Sequence, residues 1–455
     1  MAWTALGLVL SALALNGQAA WAQPAMPSAV SLPAGYAPHY QCLRHLHVDP
    51  ARGRPWSAYA DGGGGEAEPW RSPQDADDSR TGGQPVLRAG DCVDLAPGAY
   101  LMAATFTVRH GGDGNRPTGF VVYRSTIPGA AHLLATARFW RMIEVRTAYV
   151  AFDGLELDGA KATAEGEGVA TGGDGRHHIL VEHCRIHDMG GGGVQLNDGE
   201  YFWVIGNDIF ANASTNTYQE SGISIYQPLK VTDFAPTPAD VAAPFHIVIG
   251  GNISHDNVET YPCPTPGCHT DGNGVIIDKT LNVDRPGGVA YDGAILVAGN
   301  LVYGNGGGGV HVYLSQHVTA ANNTAYGDHV DLQNPGTWRG ELSNVDSTDT
   351  VWLNNIGWAR PGDGVLRYNS AILIAADSPR YAAGPTTWRA NLTRGGVSVS
   401  GSQARVDPAR NRLEVDPQLT DPAAHDFRPR PASPAIGAGE AQPWLASSAP
   451  DIGAF

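Results

Sequence analysis

Several short segments with alternating apolar residues carry polar side chains that could do chemistry. Tyr226, Asp278 and Tyr313 each close such a segment. His311 stands two residues before Tyr313, and Asp331 holds the corresponding place in a further segment. A carboxylate can orient a histidine as a general base, and a tyrosine can donate a proton to a leaving oxygen. If the segments are neighbouring strands, these five side chains share one outer surface and form a candidate reaction centre. The alternative is a solvated sheet face whose polar residues have no catalytic role.

A second group surrounds the Gly-rich stretch His269-Thr-Asp-Gly-Asn-Gly, which leads into the segment that ends at Asp278. Asp271, Asn273 and Asp278 place three oxygen ligands around one turn and strand, and Ca²⁺ prefers such hard oxygen ligands. The spacing matches no EF-hand loop, so the donor set alone predicts this calcium site. Because an unpaired buried ammonium is costly, we expect the strand to end at Asp278 and Lys279 to emerge beside it. Lys279 could then serve as a base, the alternative being an ordinary surface lysine.

A repeat indicates which elements position these groups. Six related phrases recur at spacings of 23, 45, 48, 23 and 32 residues and end in Cys184, Asn207, Asn252, Asn300, Asn323 and Asn355. A period near 23 residues is typical of solenoids. Second segments, usually opened by Gly, follow most of these phrases at Gly193–Asn197, Gly222–Tyr226, Gly274–Asp278, Gly309–Tyr313 and His329–Gln333. Their period-2 alternation predicts strands, and the repeat as a whole predicts a coil of stacked parallel strands.

In such a coil the repeated asparagines have a structural task. Asn tolerates left-handed backbone geometry at a turn, and identical amides in successive coils can hydrogen-bond as a ladder. We therefore assign to structure rather than to catalysis Asn207, Asn252, Asn300, Asn323 and Asn355.

Alternation along the second strands predicts two columns of outward-facing side chains, with neighbours about 4.8 Å apart in adjacent coils. One column contains Asn197, Tyr226, Asp278, Tyr313 and Gln333. The other contains Gln195, Ser224, Ile276, His311 and Asp331. His311 is therefore expected beside Asp331.

The longer spacings contain extra residues, which we place after the second strand of their coils. Inserted at one edge, these loops would form a wall beside the second strands, at Pro228–Pro244, Thr280–Asp292 and Asn334–Asp349. Such a wall creates a lateral groove, which is where solenoid proteins bind ligands. We assign substrate binding to Arg285 and Arg339 in the wall, with His269 and Glu220.

The chain of 455 residues has 45 acidic and 29 basic side chains, a formal charge of −16, and 42% hydrophobic residues from which to build a core. Its acidity excludes nucleic acid as a partner, because phosphate binding needs clustered Lys and Arg. A polyanionic substrate would need a local Arg cluster or a bridging divalent cation. Charged residues total only 16%, which also excludes a coiled coil.

The first 22 residues predict export. An apolar run at Ala5–Leu15 precedes Ala20-Trp21-Ala22, which reads as a signal-peptide cleavage site. No later segment reaches the 18 or so apolar residues of a membrane span, so we expect a secreted, soluble protein, and a monomer. Five cysteines fit an oxidising compartment. Disulfides could join Cys42 to Cys92 and Cys263 to Cys268, which would leave Cys184 as a buried thiol.

Both ends of the chain resemble a known family. Pro85–Tyr100 resembles the opening segment of right-handed parallel β-helix proteins of the pectate-lyase-like superfamily, and Ala151–Gly159 is similar to their usual first coil. Asp416–Ile436 and Asp451–Phe455 resemble the closing segment of secreted bacterial members. The resemblance implies an all-β protein, a right-handed parallel β-helix with loop insertions that form a lateral groove. We divide the chain into a signal peptide at 1–22, an N-terminal extension and cap at 23–84, the β-helix at 85–415 and a closing segment at 416–455.

The superfamily contains polysaccharide lyases, glycoside hydrolases, epimerases and noncatalytic members, so the resemblance implies a fold more than a reaction. In a uronate lyase, His311 or Lys279 would remove the proton α to the carboxylate, and Tyr313 or Tyr226 would protonate the leaving oxygen. Ca²⁺ or one of the two wall arginines would neutralise the developing negative charge.

A glycoside hydrolase would instead place two carboxyl groups beside the scissile bond, Asp278 with Asp331 or Asp271. The same fold also permits an epimerase, or a noncatalytic glycan-binding or surface protein. Among these functions, the sequence favours a secreted polysaccharide lyase that cleaves an acidic polysaccharide by β-elimination.

Overall fold

Successive strands of this chain pair in parallel across three long sheets. The computed structural model describes residues 36–264, 268–334, 339–360, 369–376, 384–401, 404–445 and 448–455, and the predicted signal peptide lies outside these residues. Each complete coil contributes one strand to sheet 1, one to sheet 2 and one to sheet 3, in that order. The predicted all-β parallel β-helix is therefore confirmed, with three strands in a coil where the alternation revealed two.

Within the described residues the sheets have the following strands. Sheet 1 contains Arg44–Val48, Asp91–Leu95, Val121–Ser125, Val150–Asp153, Arg176–Glu182, Gly199–Ile205, Ile247–Gly250, Ile295–Ala298, Gln316–Ala321, Thr348–Leu353 and Thr386–Arg389. Sheet 2 contains Gly98–Met102, Ala131–Ala135, Glu156–Asp158, Arg185–His187, Asp208–Phe210, Ile253–His255, Leu301–Tyr303, Thr324–Tyr326, Ile356–Trp358, Leu392–Arg394 and Arg412–Leu413. Sheet 3 contains Phe106–Val108, Ile143–Val145, Val169–Thr171, Val194–Asn197, Ile223–Tyr226, Val275–Asp278, Val310–Tyr313, Gly340–Val345, Ser370–Ala375 and Val397–Ser400.

The remaining elements are short. The helices are Pro73–Asp78 and Pro238–Ala242, and the 3-10 turns are Trp56–Ala58 and Pro422–Ala424. Antiparallel pairs join Arg80–Thr81 to Gln84–Pro85, and Leu419–Asp421 to Asp426–Pro429. None of the helices in the described ranges is long and apolar enough to cross a membrane.

The core fills the inside of the tube, because alternate residues of every strand point inward. In-register parallel pairing stacks equivalent residues of successive coils on each other, as with Val297, Ala320, Trp352 and Trp388. The two indole rings lie parallel at 4.7 Å. Fully burying one large apolar side chain stabilises the fold by about 1.5–3 kcal/mol, so these inner columns hold the coils together.

The predicted asparagine ladder occupies the turn between sheets 1 and 2. The backbone N–H and the side-chain amide of Asn300 both donate to Asn323 Oδ1, at 3.0 and 2.9 Å, while Asn300 Oδ1 accepts the same pair from Asn252. The ladder also continues past the predicted rungs to Asn391 and Asn411. The left-handed backbone was predicted at the ladder residues themselves. The structure shows it one residue earlier, at Gly206, Gly251 and Gly299 with φ of 62°, 64° and 68°.

One predicted second strand, His329–Gln333, is wrong. The strand that pairs with Val310–Tyr313 is Gly340–Val345, which places Ser343 beside His311. The alternation at 329–333 resembles a strand, but His329 and Asp331 are buried in a loop that precedes the true strand. A strand in that position would need inward apolar residues, and Leu342 supplies one against Val310.

Two predicted insertions, Pro228–Pro244 and Thr280–Asp292, do follow strands of sheet 3. Other long connections, which the sequence did not predict, precede strands of sheet 3, after Phe210, His255 and Tyr326. Pro228–Pro244 covers the outer face of sheet 1, where Asp240 Oδ1 lies 2.9 Å from His178 Nε2 and Phe234 stacks on His177. This insertion therefore builds no wall beside sheet 3.

The cysteines behave as predicted. Disulfides join Cys42 to Cys92 and Cys263 to Cys268, and Cys184 is buried outside both. The first disulfide lies next to Arg44–Val48, a strand of sheet 1. The sheets therefore begin inside the region 23–84 that the sequence assigned to an N-terminal extension.

Candidate active site

The outer face of sheet 3 is the floor of a groove of about 820 Å³. The wall beside it is built from the connections that precede the strands, including residues 217–221 and the segment stapled by Cys263 and Cys268. The predicted groove beside the second strands exists, but residues that come before each strand form its wall. The segment Asn334–Asp349, predicted as a wall loop, contains the floor strand Gly340–Val345 instead.

The predicted columns of the floor are confirmed from Asn197 to Tyr313. Tyr226 pairs with Asn197 on one side and with Asp278 on the other, and Asp278 pairs with Tyr313. The second column runs through Gln195, Ser224, Ile276 and His311. In both columns the next residue differs from the prediction. Tyr313 is followed by Val345 and not by Gln333, and His311 is followed by Ser343 and not by Asp331.

Asp278 is a partly exposed carboxyl group in the groove floor. Burial, and then the negative charge of Asp271, raise its pKa to about 8. Its Oδ1 atom is buried and has no hydrogen-bond partner among the described residues. Asp278 is therefore protonated at neutral pH and can donate a hydrogen bond to a ligand.

Lys279 emerges at the end of this strand, as predicted, with a left-handed φ of 58°. Its Nζ lies 2.9 Å from Asp284 Oδ2 and 5.7 Å from the centre of the Tyr226 ring. Burial lowers the pKa of Lys279, but the hydrogen bond to Asp284 and the charge that Asp278 carries above its own pKa outweigh it, so the pKa of Lys279 is raised overall. The amine of Lys279 is therefore protonated at neutral pH. A protonated amine can neutralise a negative charge on a substrate, but it cannot act as a base.

His311 lies in the groove floor next to Tyr313 and is 2% exposed. Burial lowers the pKa of His311 to about 4, so the imidazole is neutral at neutral pH, and the same burial makes it a weaker base than a free histidine. Its Nδ1 lies 2.8 Å from Ser343 Oγ, and its ring is parallel to that of Tyr313 with centres 6.1 Å apart. A hydroxyl, and not the predicted carboxylate of Asp331, therefore orients this histidine.

Asp331, His269 and Arg339 lie outside the groove lining. His269 Nε2 lies 3.1 Å from Asp331 Oδ2 and 3.0 Å from the backbone oxygen of Glu259. Arg339 donates to the backbone oxygen of Asn334. These contacts tie the wall segments to each other. The predicted partnership of Asp331 with His311 is wrong, because a loop rather than a strand carries Asp331.

Of the other two predicted substrate-binding residues, Arg285 lies outside the groove and Glu220 lies in it. Arg285 forms an ion pair with Asp198 and lines a neighbouring cavity of about 400 Å³ instead of the groove. Glu220 does line the groove, where it accepts hydrogen bonds from Asn216 Nδ2 at 2.9 Å and from the backbone N–H of Gly192. Burial, and then the charge of Glu167, raise the pKa of Glu220 to about 8.

The predicted calcium ligands do not form one open donor set. Asp271 and Asp278 line the groove, and burial raises the pKa of Asp271 to about 6. The side-chain oxygen of Asn273 already accepts a hydrogen bond of 2.7 Å from the backbone N–H of Gly308, and its amide donates to Asp271. Asn273 therefore ties the turns together and does not fit the role of a ligand. A Ca²⁺ ion held by Asp271 and Asp278 stays a prediction.

The groove extends beyond the residues assigned from the sequence, to Trp140, Arg141, Glu167 and Tyr218. The sequence left Trp140 open between a sugar platform and lateral packing, and did not assign the other three. The recurring phrases start at Cys184, whereas the groove floor also includes the earlier strands Ile143–Val145 and Val169–Thr171. The signal was present in Trp140-Arg-Met-Ile-Glu-Val145, an aromatic residue just before a short alternating strand.

Comparison with known proteins supports the fold. Residues 147–325 match the family model described as a right handed beta helix region. The fold is a right-handed parallel β-helix. No curated protein matches the chain in sequence.

Several solved structures are similar to this β-helix. The crystal structure of pectate lyase Pel9A is 15% identical, with 91% of this chain and 97% of that chain covered and a TM-score of 0.49. A rhamnogalacturonan lyase is 14% identical over 76% of this chain and 87% of its own, with a TM-score of 0.44. An alginate lyase from Paenibacillus sp. str. FPU-7 is 14% identical over 81% and 95%, also with a TM-score of 0.44. These likenesses concern the fold alone.

Proposed function

We propose that the groove binds an acidic polysaccharide and cleaves it by β-elimination. The observation that carries this proposal is the position of Asp278 and Lys279 between Tyr226 and Tyr313 on adjacent strands. Burial raises the pKa of Asp278 to about 8, and the pKa of Lys279 is raised too, so a neutral carboxyl stands beside a charged amine. A uronate carboxylate placed there meets two hydrogen-bond donors. Both stabilise the negative charge that develops on the carboxylate when the α proton leaves.

The proton transfers use the neighbouring side chains. Neutral His311 takes the α proton, the electron pair forms a double bond to the β carbon, and the bond from that carbon to the glycosidic oxygen breaks. Tyr226 or Tyr313 donates a proton to the departing oxygen. Burial raises the pKa of both tyrosines above its usual value, so both hold their protons at neutral pH. The products are a new hydroxyl end and an unsaturated uronate end.

The charge of the groove permits an acidic substrate although the whole chain carries −16. Arg141 and Lys279 contribute two positive charges to the lining, while burial keeps Asp278 and Glu220 protonated. The floor is therefore less negative than its composition implies. The predicted signal peptide and the two disulfides support action outside the cytoplasm.

A substrate screen tests this proposal. The mature protein is incubated with alginate, pectate and a glycosaminoglycan, with and without a chelator. We expect reducing ends to appear together with the ultraviolet absorbance of the conjugated double bond. Reducing ends without that absorbance would show hydrolysis, and binding without products would show a noncatalytic glycan-binding protein; either result rejects the elimination. Loss of activity with chelator alone would support the Ca²⁺ prediction.

A specific observation favours hydrolysis as the second candidate. Asp271 and Asp278 line the same groove with pKa values of about 6 and about 8, and a pair of carboxyls with separated pKa values is the pattern of a general base and a general acid. The Asp278→Asn variant separates the two reactions. A lyase that uses Asp278 only as a neutral donor retains activity, whereas a hydrolase without its acid loses about 10²–10⁴-fold.

A further inference from the structure

The groove extends well beyond the proposed reaction centre, to an aromatic pair at its other end. Trp140 precedes Ile143–Val145, which lies four strand spacings from Val275–Asp278 in sheet 3. At about 4.8 Å for each spacing, the two strands are about 19 Å apart. Trp140 and Tyr218 both line this groove.

The two aromatic rings are exposed but held in place. Trp140 is 40% exposed and Tyr218 is 72% exposed. Their rings meet edge to face, with centres 5.7 Å apart. A Cβ atom on Gly166 would lie 2.7 Å from the backbone oxygen of Trp140 and 3.0 Å from its Nε1, so the absence of a side chain at Gly166 lets this segment pack closely against Trp140.

Between this pair and Asp278 the floor presents polar atoms that lack partners. Gln195 and Asn197 lie on the strand two spacings from Asp278, and both line the groove. Gln195 Oε1 and Asn197 Oδ1 are buried and have no hydrogen-bond partner among the described residues. A buried acceptor without a donor costs about 1–3 kcal/mol. Hydroxyl groups of a ligand that lies along the floor would supply the missing donors.

Next to Trp140, the guanidinium of Arg141 is fixed by two carboxylates. Its Nε lies 3.0 Å from Glu167 Oε2, and one terminal nitrogen lies 3.0 Å from Glu144 Oε1. This end of the groove thus combines an aromatic surface with donors and acceptors in fixed positions. Sugar rings need this combination, with apolar C–H faces for stacking and a rim of hydroxyls for hydrogen bonds.

We propose that Trp140 and Tyr218 form a distal sugar-binding subsite, connected to the reaction centre by Gln195 and Asn197, so that the groove takes an internal stretch of a long glycan chain. This inference rests on the proposed function in one respect, the position of the reaction centre at Asp278. Because the subsite is remote from the scissile bond, it strengthens the binding of long chains and leaves short oligosaccharides unaffected.

Binding and cleavage by alanine variants test this subsite. We expect Trp140→Ala and Tyr218→Ala each to raise the Kd for the best polysaccharide of the screen about tenfold, since each removes most of one ring's apolar contact. The Kd for a disaccharide of the same sugar should not change. Trp140→Phe should recover most of the affinity, and the matched control Trp358→Ala, a partly exposed tryptophan on sheet 2, should bind as the wild type does. Far-UV circular dichroism checks that each variant folds.

The outcomes separate the subsite from the reaction. If the polymer is cleaved but both alanine variants bind it as tightly as the wild type, the subsite is rejected and the proposed function stands. If neither variant nor wild type cleaves anything, but Trp140→Ala binds more weakly, the reaction is rejected and the subsite stands. If the wild type binds none of the three polysaccharides, the subsite is rejected.

Discussion

The turn between sheets 1 and 2 and the floor of the groove on sheet 3 belong to the same coils, yet they differ in how their polar groups are used. In the turn, each buried amide from Asn207 to Asn391 bonds to the next rung, and Asn411 closes the series. In the groove floor, Gln195 Oε1, Asn197 Oδ1 and Asp278 Oδ1 are buried without a partner in the described chain.

The turn therefore stabilises the coil, whereas the groove floor retains polar atoms that a ligand can satisfy. A satisfied buried network fixes the coil, whereas unsatisfied buried polar groups cost free energy until something binds them. The insertions are likewise confined to the sheet faces and spare the ladder turn. They enter beside sheet 3 and over sheet 1, and the ladder turn between sheets 1 and 2 has none from Asn207 to Asn355.

The strongest loss of activity is expected when the charged amine of the groove floor is removed. Lys279→Met removes the ammonium that meets the substrate carboxylate, and we expect kcat/KM on the acidic polysaccharide to fall about 10²–10³-fold. The matched control is Lys230→Met, which removes an exposed lysine paired with Asp292 at 3.3 Å outside the groove. Equal activity of Lys279→Met and Lys230→Met would remove Lys279 from the reaction centre.

The next effect concerns the ladder. Asn300→Ala breaks the bonds to Asn252, Asn323 and the backbone oxygen of Ile249, and leaves buried groups unsatisfied. We expect the free energy of unfolding to fall by at least about 2 kcal/mol, with kcat unchanged at temperatures where the variant is folded. Denaturant titration measures the loss, and Ser398→Ala on an exposed strand is the control. A loss below the error of the titration would show that the ladder is not a source of stability.

A smaller effect per residue concerns the pH dependence of stability. Burial, named first among the causes for each group, raises the pKa of Glu220 and Asp278 to about 8 and of Glu259 to about 9. Above about pH 7.5, where unfolded histidines have lost most of their protons, the folded chain therefore holds protons that the unfolded chain has released. Stability then falls as pH rises toward 8, by up to about 1.4 kcal/mol per pH unit for each group. Thermal unfolding measures this slope.

The Glu259→Gln variant isolates the contribution of one of these groups to the pH dependence of stability. Gln cannot ionise, so this variant should lose stability less steeply between pH 6.5 and 8 than the wild type does. Glu259 lies outside the groove lining, and its Oε2 is buried without a partner among the described residues. The same slope in both proteins would show that Glu259 is ionised in the folded chain.

The sequence predicted the fold and half of the floor because both depend on local periodicity. The spacing of Asn207 to Asn355 and the alternation around Tyr226, Asp278 and Tyr313 report strands whose register a parallel coil then fixes. The position of Asp331 could not be predicted in this way, because a five-residue alternating segment in a loop looks like a strand until its pairing partner is known. For a related reason the sequence left Trp140 open between a sugar platform and lateral packing and did not identify Tyr218, since only an insertion that folds back brings the two rings together.

The protonated state of Asp278 is the centre of the account, and the pH dependence of elimination in the wild type and in Asp278→Asn tests it most directly. We expect wild-type activity to fall as pH rises through the pKa of about 8, because the ionised carboxylate repels the substrate. The variant should be active at neutral pH and lack that alkaline decline, because an amide remains a neutral donor. Loss of about 10²-fold or more at neutral pH, or an unchanged alkaline decline, would contradict the account.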